Sequence, residues 1–191
     1  MVISPRPLRV DAQRNREKVL SAATQAFADA GEDVALETIA ARAGVGIGTL
    51  YRHFPSRDAL LVAAYQHEVD ALCAAAADLL ATRPADQALR AWAERFADYV
   101  ATKRAMGDAL HAAASESPLF AAARDQILGA LSLLLEAGAA SGTLRPDVDP
   151  SDVMRLMTGV WHLPNSPHWR QDVGRLLSLI VDGLRYGLPT T

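Results

Sequence analysis

"GVGIGTLYRHF", residues Gly44 to Phe54, sets three glycines in five positions ahead of threonine, tyrosine, arginine and histidine. Glycines at that density either cradle a phosphate or punctuate helices, and the flanking sequence decides between the two. A phosphate-binding loop follows a strand and opens a long helix, with lysine or an acidic residue at set offsets. Here the glycines follow a short helical pattern, Leu36 to Ala43, with Ile39, Ala40 and Ala43 on one face, and no Gly-Lys-Ser/Thr occurs. The next helical stretch is barely two turns long before Phe54-Pro55-Ser56 breaks it. The segment therefore reads as a helix-turn-helix. Gly44 ends one helix in the left-handed region, Val45 plugs the corner, and Gly46 is a weak N-cap for the next. At about 100° per residue, Ile47, Leu50 and Phe54 share the inward side while Gly48, Thr49, Arg52 and His53 point away and Tyr51 falls at the edge.

The rest of the chain is helical in pattern, with no strand candidates bounded by turns, no repeat and no low-complexity tract beyond abundant alanine. A first helix spans about Asp11 to Ala30, with Leu20, Ala23, Phe27 and Ala30 at spacings of three and four and Gly31 stopping it. Ser56 with Asp58 and Ala59 caps a long fourth helix reaching about Ala81. Pro84 opens another through Leu89, Trp92, Phe96, Tyr99 and Val100, followed by a less regular stretch through Met106 and Leu110. Ser117-Pro118 opens the next, toward Gly138, and "SGTLRPDVDP" (Ser141 to Pro150) is a loop. Two apolar stripes close the chain, near Asp152–His162 and Gln171–Tyr186, with Pro164 and Pro167 between them. The expected fold is all-α with about nine helices. A three-helix head over 1–57, with a flexible arm at 1–10, precedes a larger helical body over 58–191.

The chain has 191 residues, half of them hydrophobic and 21 % charged, which suits a packed protein rather than a disordered one. The single cysteine, Cys73, excludes an internal disulfide and fits a reducing compartment. "MVISPRPLRV" lacks the apolar core of a signal peptide, and no apolar run approaches the roughly 20 residues that cross a bilayer. A cytoplasmic location is the expectation. The net charge of −3 argues against general polyanion binding, yet residues 1–57 carry +2 and residues 58–191 carry −5. That asymmetry is compatible with a nucleic-acid-facing end on an acidic body.

An outward Thr/Tyr/Arg/His surface on a short helix suits the major groove, where threonine meets a thymine methyl and tyrosine or histidine a phosphate. A merely solvated polar face reads equally well from these residues alone. The order of residues, however, resembles the TetR (tetracycline-repressor) family of bacterial transcription regulators. The likeness runs from about Arg14 to Leu61, through "AATQAFADAG" and "IAARAGVGIGTLYRHFPSRDALL". It implies a DNA-binding regulator, most simply a repressor on a palindromic operator, with Gly48 and Thr49 nearest the base edges. Tyr51, His53 and Arg57 would hold phosphates, with Arg52 on the same face. Arg14 and Arg16 join the set from charge, as do Arg6 and Arg9 in the arm. Two positions depart from the family: Ala35 where Ser or Thr usually caps the second helix, and Gly46 where Ser is frequent. Both remove a hydroxyl from the side facing DNA, and Asp33 or Glu37 would have to compensate for the first.

One short helix reads few base pairs, so a homodimer on double-stranded DNA is expected. The family dimerises through its last helices, here by Val153, Leu156, Met157, Val160, Val173, Leu176, Leu177, Ile180 and Leu184. The resemblance also implies an effector pocket within 82–170 for an unidentified small molecule, with Trp92, Phe96, Tyr99, Met106, Leu110, His111, Phe120, Trp161 and His162 as candidate lining residues. Plain core is the competing reading for each of these. No cofactor, metal or membrane partner is expected. The five histidines lack metal-ligand spacing, although His162, His168 and Asp172 flank one connection, and no Gly-x-Ser-x-Gly turn suggests an enzyme. A helical binding protein whose head has lost DNA affinity is the remaining rival.

Overall fold

The computed structural model describes residues 6–31, 33–114, 117–164 and 166–185, leaving aside the side chains of 6–10 and of Trp161. Among these residues the chain forms eight α-helices, one 3-10 turn and no strand. They are α1 (Arg6–Ala30), α2 (Leu36–Ala43), α3 (Ile47–His53), α4 (Arg57–Leu80), α5 (Ala85–Ala113), α6 (Leu119–Ala140), α7 (Pro150–Thr158) and α8 (Trp169–Arg185), with the 3-10 turn at Gly159–His162.

Helix α1 starts five residues earlier than its pattern suggests. Pro7 is compatible with this start, because in a first turn its missing N–H has no intrahelical partner to lose. Residues 6–10 of the expected arm are thus helical, and 1–5 lie outside the described residues. The stretch expected to be irregular after Val100 is instead the continuation of α5, with one break at Gly107 (φ 55°, ψ −144°). The expected helix through His162 ends early, and Gly159–His162 tightens into the 3-10 turn. At the start of α7, Asp149 accepts a hydrogen bond from the Ser151 amide at 2.7 Å, and Pro150 opens the first turn.

The chain divides into two compact units, Met1–Glu68 with Thr102–Ser117, and Val69–Ala101 with Pro118–Thr191. The division falls inside α4 and α5 rather than at the expected break near residue 57. In the first unit, α1 packs on α2, and both pack on α3. Its interior holds Phe27, Ile39, Leu50, Leu60, Tyr65 and Met106, all essentially without solvent contact. In the second unit, Trp92, Phe96, Leu131, Leu134, Val173 and Leu177 form the centre. The Trp92 indole donates to the Leu72 carbonyl at 2.9 Å, which satisfies its one polar atom without water. Its ring stacks on Phe96 at 5.8 Å, and Phe96 meets Tyr99 at the same separation. Arg90 pairs with Asp182 across α5 and α8, as Arg170 does with Asp98 at 2.7 Å and Arg185 with Asp86 at 3.1 Å. Cys73 is half-buried, and burial, followed by the Asp70 charge, pushes its thiol up to about 11, so it carries almost no thiolate near neutrality.

The backbone angles at Gly107 belong to a region closed to residues with a Cβ. Gly107→Ala should destabilise the protein by about 1–3 kcal/mol in denaturant unfolding. An unchanged midpoint would mean that α5 can straighten through this point.

Candidate nucleic-acid interface

Helix α2 begins without a side-chain cap. Ala35 is extended (φ −66°, ψ 141°), and its carbonyl accepts from the Thr38 and Ile39 amides. Glu37 lies in the first turn, where its charge favours the positive end of the helix dipole. Helix α2 ends at Gly44 in the left-handed region (φ 67°, ψ 32°), whose amide reaches the Ala41 carbonyl while Val45 reaches that of Ala40. Gly46 (φ −71°, ψ 148°) then opens α3, again with no side-chain cap, its carbonyl accepting from Thr49 and Leu50.

Leu50 is fully buried and Phe54 is 3 % exposed, as the inward side requires. Ile47, expected beside them, is 37 % exposed. It occupies the first position of α3, one turn before Leu50, where the helix leaves the packed surface. Tyr51 is 46 % exposed, Gly48 and Arg52 are exposed, and Thr49 and His53 are half-buried. A Cβ built on Gly48 meets nothing within 4 Å. Packing within the chain therefore does not require glycine here.

Of the six arginines of the expected set, Arg6 and Arg9 have side chains outside the described residues, and the other four differ in placement. Arg52 and Arg14 are exposed, and Arg14 lines a groove of about 760 Å³ with Lys18, Gln25 and Arg42. Arg16 is half-buried, its guanidinium 5.5 Å above the Phe54 ring, so α1 is braced against the end of α3. Arg57, expected to hold a phosphate, is turned inward. Its Nη1 donates to the Val34 carbonyl at 2.7 Å, its guanidinium lies 5.9 Å from the Phe27 ring centroid, and Nη2 is buried. The sequence offers no sign of this, because the acceptor is a backbone oxygen 23 residues away.

The expected pocket residues fall into both units. Trp92, Phe96 and Tyr99 are buried in the second and Met106 and Leu110 in the first. Phe120 is half-buried, and the Trp161 side chain lies outside the described residues. His111 and His162, expected as polar groups of a pocket, are exposed instead. His111 sits on its own helix, with Nδ1 3.3 Å from the Gly107 carbonyl. Among the described residues, no group of three or more His, Cys, Asp or Glu is placed to hold a metal ion. No helix there is long and apolar enough to cross a membrane.

The expected dimer residues also separate. Val153, Met157, Val160, Val173, Leu177 and Leu184 are buried within their own unit, because the faces of α7, the 3-10 turn and α8 that carry them close its core. Leu156 is 63 % exposed, Leu176 39 %, and Ile180 is half-buried. Leu179, which the sequence reading passed over, is 67 % exposed. The signal was present: α8 carries one apolar row at Val173, Leu177, Val181 and Leu184 and a second at Leu176, Leu179 and Ile180. A helix that is apolar on two sides has two surfaces to cover.

The family profile described as "Bacterial regulatory proteins, tetR family" matches residues 19–64. The profile described as "Transcriptional regulator SbtR-like, C-terminal domain" matches 84–186. The HTH-type transcriptional repressor KstR of Rhodococcus jostii is 30 % identical over 183 residues, 92 % of this chain and 85 % of that protein. The chain belongs to the TetR family. Over a shorter stretch, KstR of Mycolicibacterium smegmatis is 45 % identical across 71 residues, 36 % of this chain. The chain spans 35 % and 31 % of the lengths of the Mycolicibacterium smegmatis and Mycobacterium tuberculosis KstR proteins that it matches. Among solved structures, the TetR transcriptional regulator SCO0520 of Streptomyces coelicolor superposes with a TM-score of 0.83 at 45 % identity, covering 92 % of this chain and 99 % of that one. A TetR regulatory protein of Mycobacterium vanbaalenii superposes with a TM-score of 0.75 at 35 % identity, covering 94 % and 99 %.

In this TetR-family chain the N-terminal match encloses all of α2 and α3, whereas Arg14 and Arg16 precede it. The uncapped start of α2 is open to a direct test. Ala35→Ser supplies an oxygen for the free amides of the first turn and should stabilise the head by about 1 kcal/mol in thermal or denaturant unfolding. A loss of stability would mean that the backbone at residue 35 is not the extended cap seen here.

Proposed function

We propose that this TetR-family chain binds an operator duplex as a homodimer, represses the adjoining gene, and is released by a small-molecule effector. The observation that carries the DNA half is the outward face of α3. Gly48 lies bare beside Thr49, Tyr51, Arg52 and His53, while Leu50 and Phe54 hold the helix from beneath. A helix presented this way fits the major groove: Gly48 allows the backbone close, Thr49 meets base edges, and Tyr51, Arg52 and His53 take phosphate oxygens. Arg14 adds an exposed charge on the same unit. Repression is the activity that the KstR relatives carry in their names.

Dimerisation is supported by the second apolar row of α8. Leu176, Leu179 and Ile180, with Leu156 of α7, present hydrophobic surface that a second copy of the chain would cover. Two heads then read an inverted repeat with half-sites about one helical turn, 34–36 Å, or a multiple of it apart. The effector half rests on family membership. A small molecule that binds one arrangement of the dimer better than another changes operator affinity only by that difference.

Selection of duplexes from a randomised library should yield an inverted repeat. On that duplex, Thr49→Ala should weaken specific binding by about 1–3 kcal/mol through loss of a base contact, and Tyr51→Phe, which loses a phosphate contact, should weaken binding to every duplex alike. Undiminished binding by both variants would remove α3 as the reader. In sedimentation, Leu156→Lys with Leu179→Lys should convert a dimer to monomers with unchanged helicity; a dimer that persists would move the interface elsewhere.

A further inference from the structure

The helix-turn-helix is entered just after Val34 and left at Arg57, the first residue of α4. One side chain joins these two points. Arg57 Nη1 donates to the Val34 carbonyl at 2.7 Å, 23 positions earlier, across a segment that contains α2, the turn and α3. The same guanidinium lies 5.9 Å from the centroid of the fully buried Phe27 ring, which anchors it on α1. Nη2 is buried and has no hydrogen-bond partner among the described residues. A guanidinium so enclosed is not laid out on the surface for a phosphate.

The helix starts inside the segment that this bond closes lack side-chain caps. Ala35 gives α2 no side-chain cap, and Gly46 gives α3 none. Gly44, in the turn, has no neighbour within 4 Å of a built Cβ. Closing the segment at its two ends removes the freedom that these weak caps leave, since loop closure restricts everything between the joined points.

We propose that Arg57 is a positioning residue that sets the presentation of α3 to DNA by clamping the entrance of the helix-turn-helix to its exit, and that it is not a phosphate ligand. The proposal rests on the DNA-binding reading above. It separates from a phosphate contact because the two act on different quantities. A phosphate ligand strengthens binding to every duplex alike and contributes to its salt dependence, while a positioning residue strengthens only the binding that needs the base-reading face in register.

The test uses the full chain, the duplex selected by the wild-type protein, and a random-sequence duplex of equal length. Arg57→Gln should lower affinity for the selected duplex about tenfold or more, the scale of one base contact per head. Affinity for the random duplex should change by less than about twofold, and the slope of log affinity against log salt should stay as in the wild type. Arg57→Lys, which keeps a donor long enough for the Val34 carbonyl but loses the planar fork, should fall between the two. Amide exchange across residues 34–39 of the DNA-free Arg57→Gln protein should quicken while its circular dichroism is unchanged. Equal losses on both duplexes with a slope shallower by about one unit per head would make Arg57 a phosphate ligand and overturn the proposal. Lost stability with full affinity of the folded protein would overturn it too, leaving Arg57 a support of the fold alone. A wild-type protein that selects no duplex overturns the DNA reading itself, and unaltered exchange at 34–39 overturns the clamp independently of DNA.

Discussion

Burial of Leu50 and Phe54 beneath α3 determines which side of that helix meets solvent. A seven-residue helix does not hold together in water by its own hydrogen bonds, because nucleation outweighs so few propagation steps. Its stability comes from its neighbours. Each of these two side chains gains roughly 1.5–3 kcal/mol from leaving water, and α1 and α2 provide the surface they enter. With that pair fixed, the helical period leaves Gly48, Thr49, Tyr51 and Arg52 facing outward whatever their own preferences. The chemistry of the exposed face is thus a consequence of the core beneath it.

The parts of the fold written in local pattern were legible. Helical periodicity gave α2, α3 and α6 nearly to the residue, and Gly44 and Pro84 marked ends by mechanisms that act over a few residues. Local reasoning erred at α1 and α5. The expected helix begins only at about Asp11, yet the first turns of α1 run through Pro7, and the stretch through Met106 and Leu110 reads as irregular although Gly107 interrupts α5 without ending it. It also erred at Ile47, whose wheel position is inward but whose place at the first turn of α3 leaves it outside the packed surface.

Tertiary choices were not legible. Arg57 carries the same charge whether it faces a phosphate or the Val34 carbonyl, and no spacing rule distinguishes them. The histidines offered as pocket groups, His111 and His162, lie at positions whose burial depends on distant helices. For α8 the sequence held the right information in merged form. The pattern reads as a single stripe where two exist, one facing the unit's own interior and one facing solvent, which puts buried Val173 and Leu177 beside exposed Leu176 and leaves out Leu179. The excess of apolar residues was visible; its division between two surfaces needed the packed helices.

The central claim is that α3 enters the major groove in two successive copies. Chemical probing of guanine N7, which lies in the major groove, and adenine N3, which lies in the minor groove, on a bound duplex tests it directly. The account requires N7 to be protected in two windows about 10 base pairs apart, or a multiple of that, with adenine N3 between them still reactive. Protection confined to adenine N3, or a single unrepeated window, would contradict it.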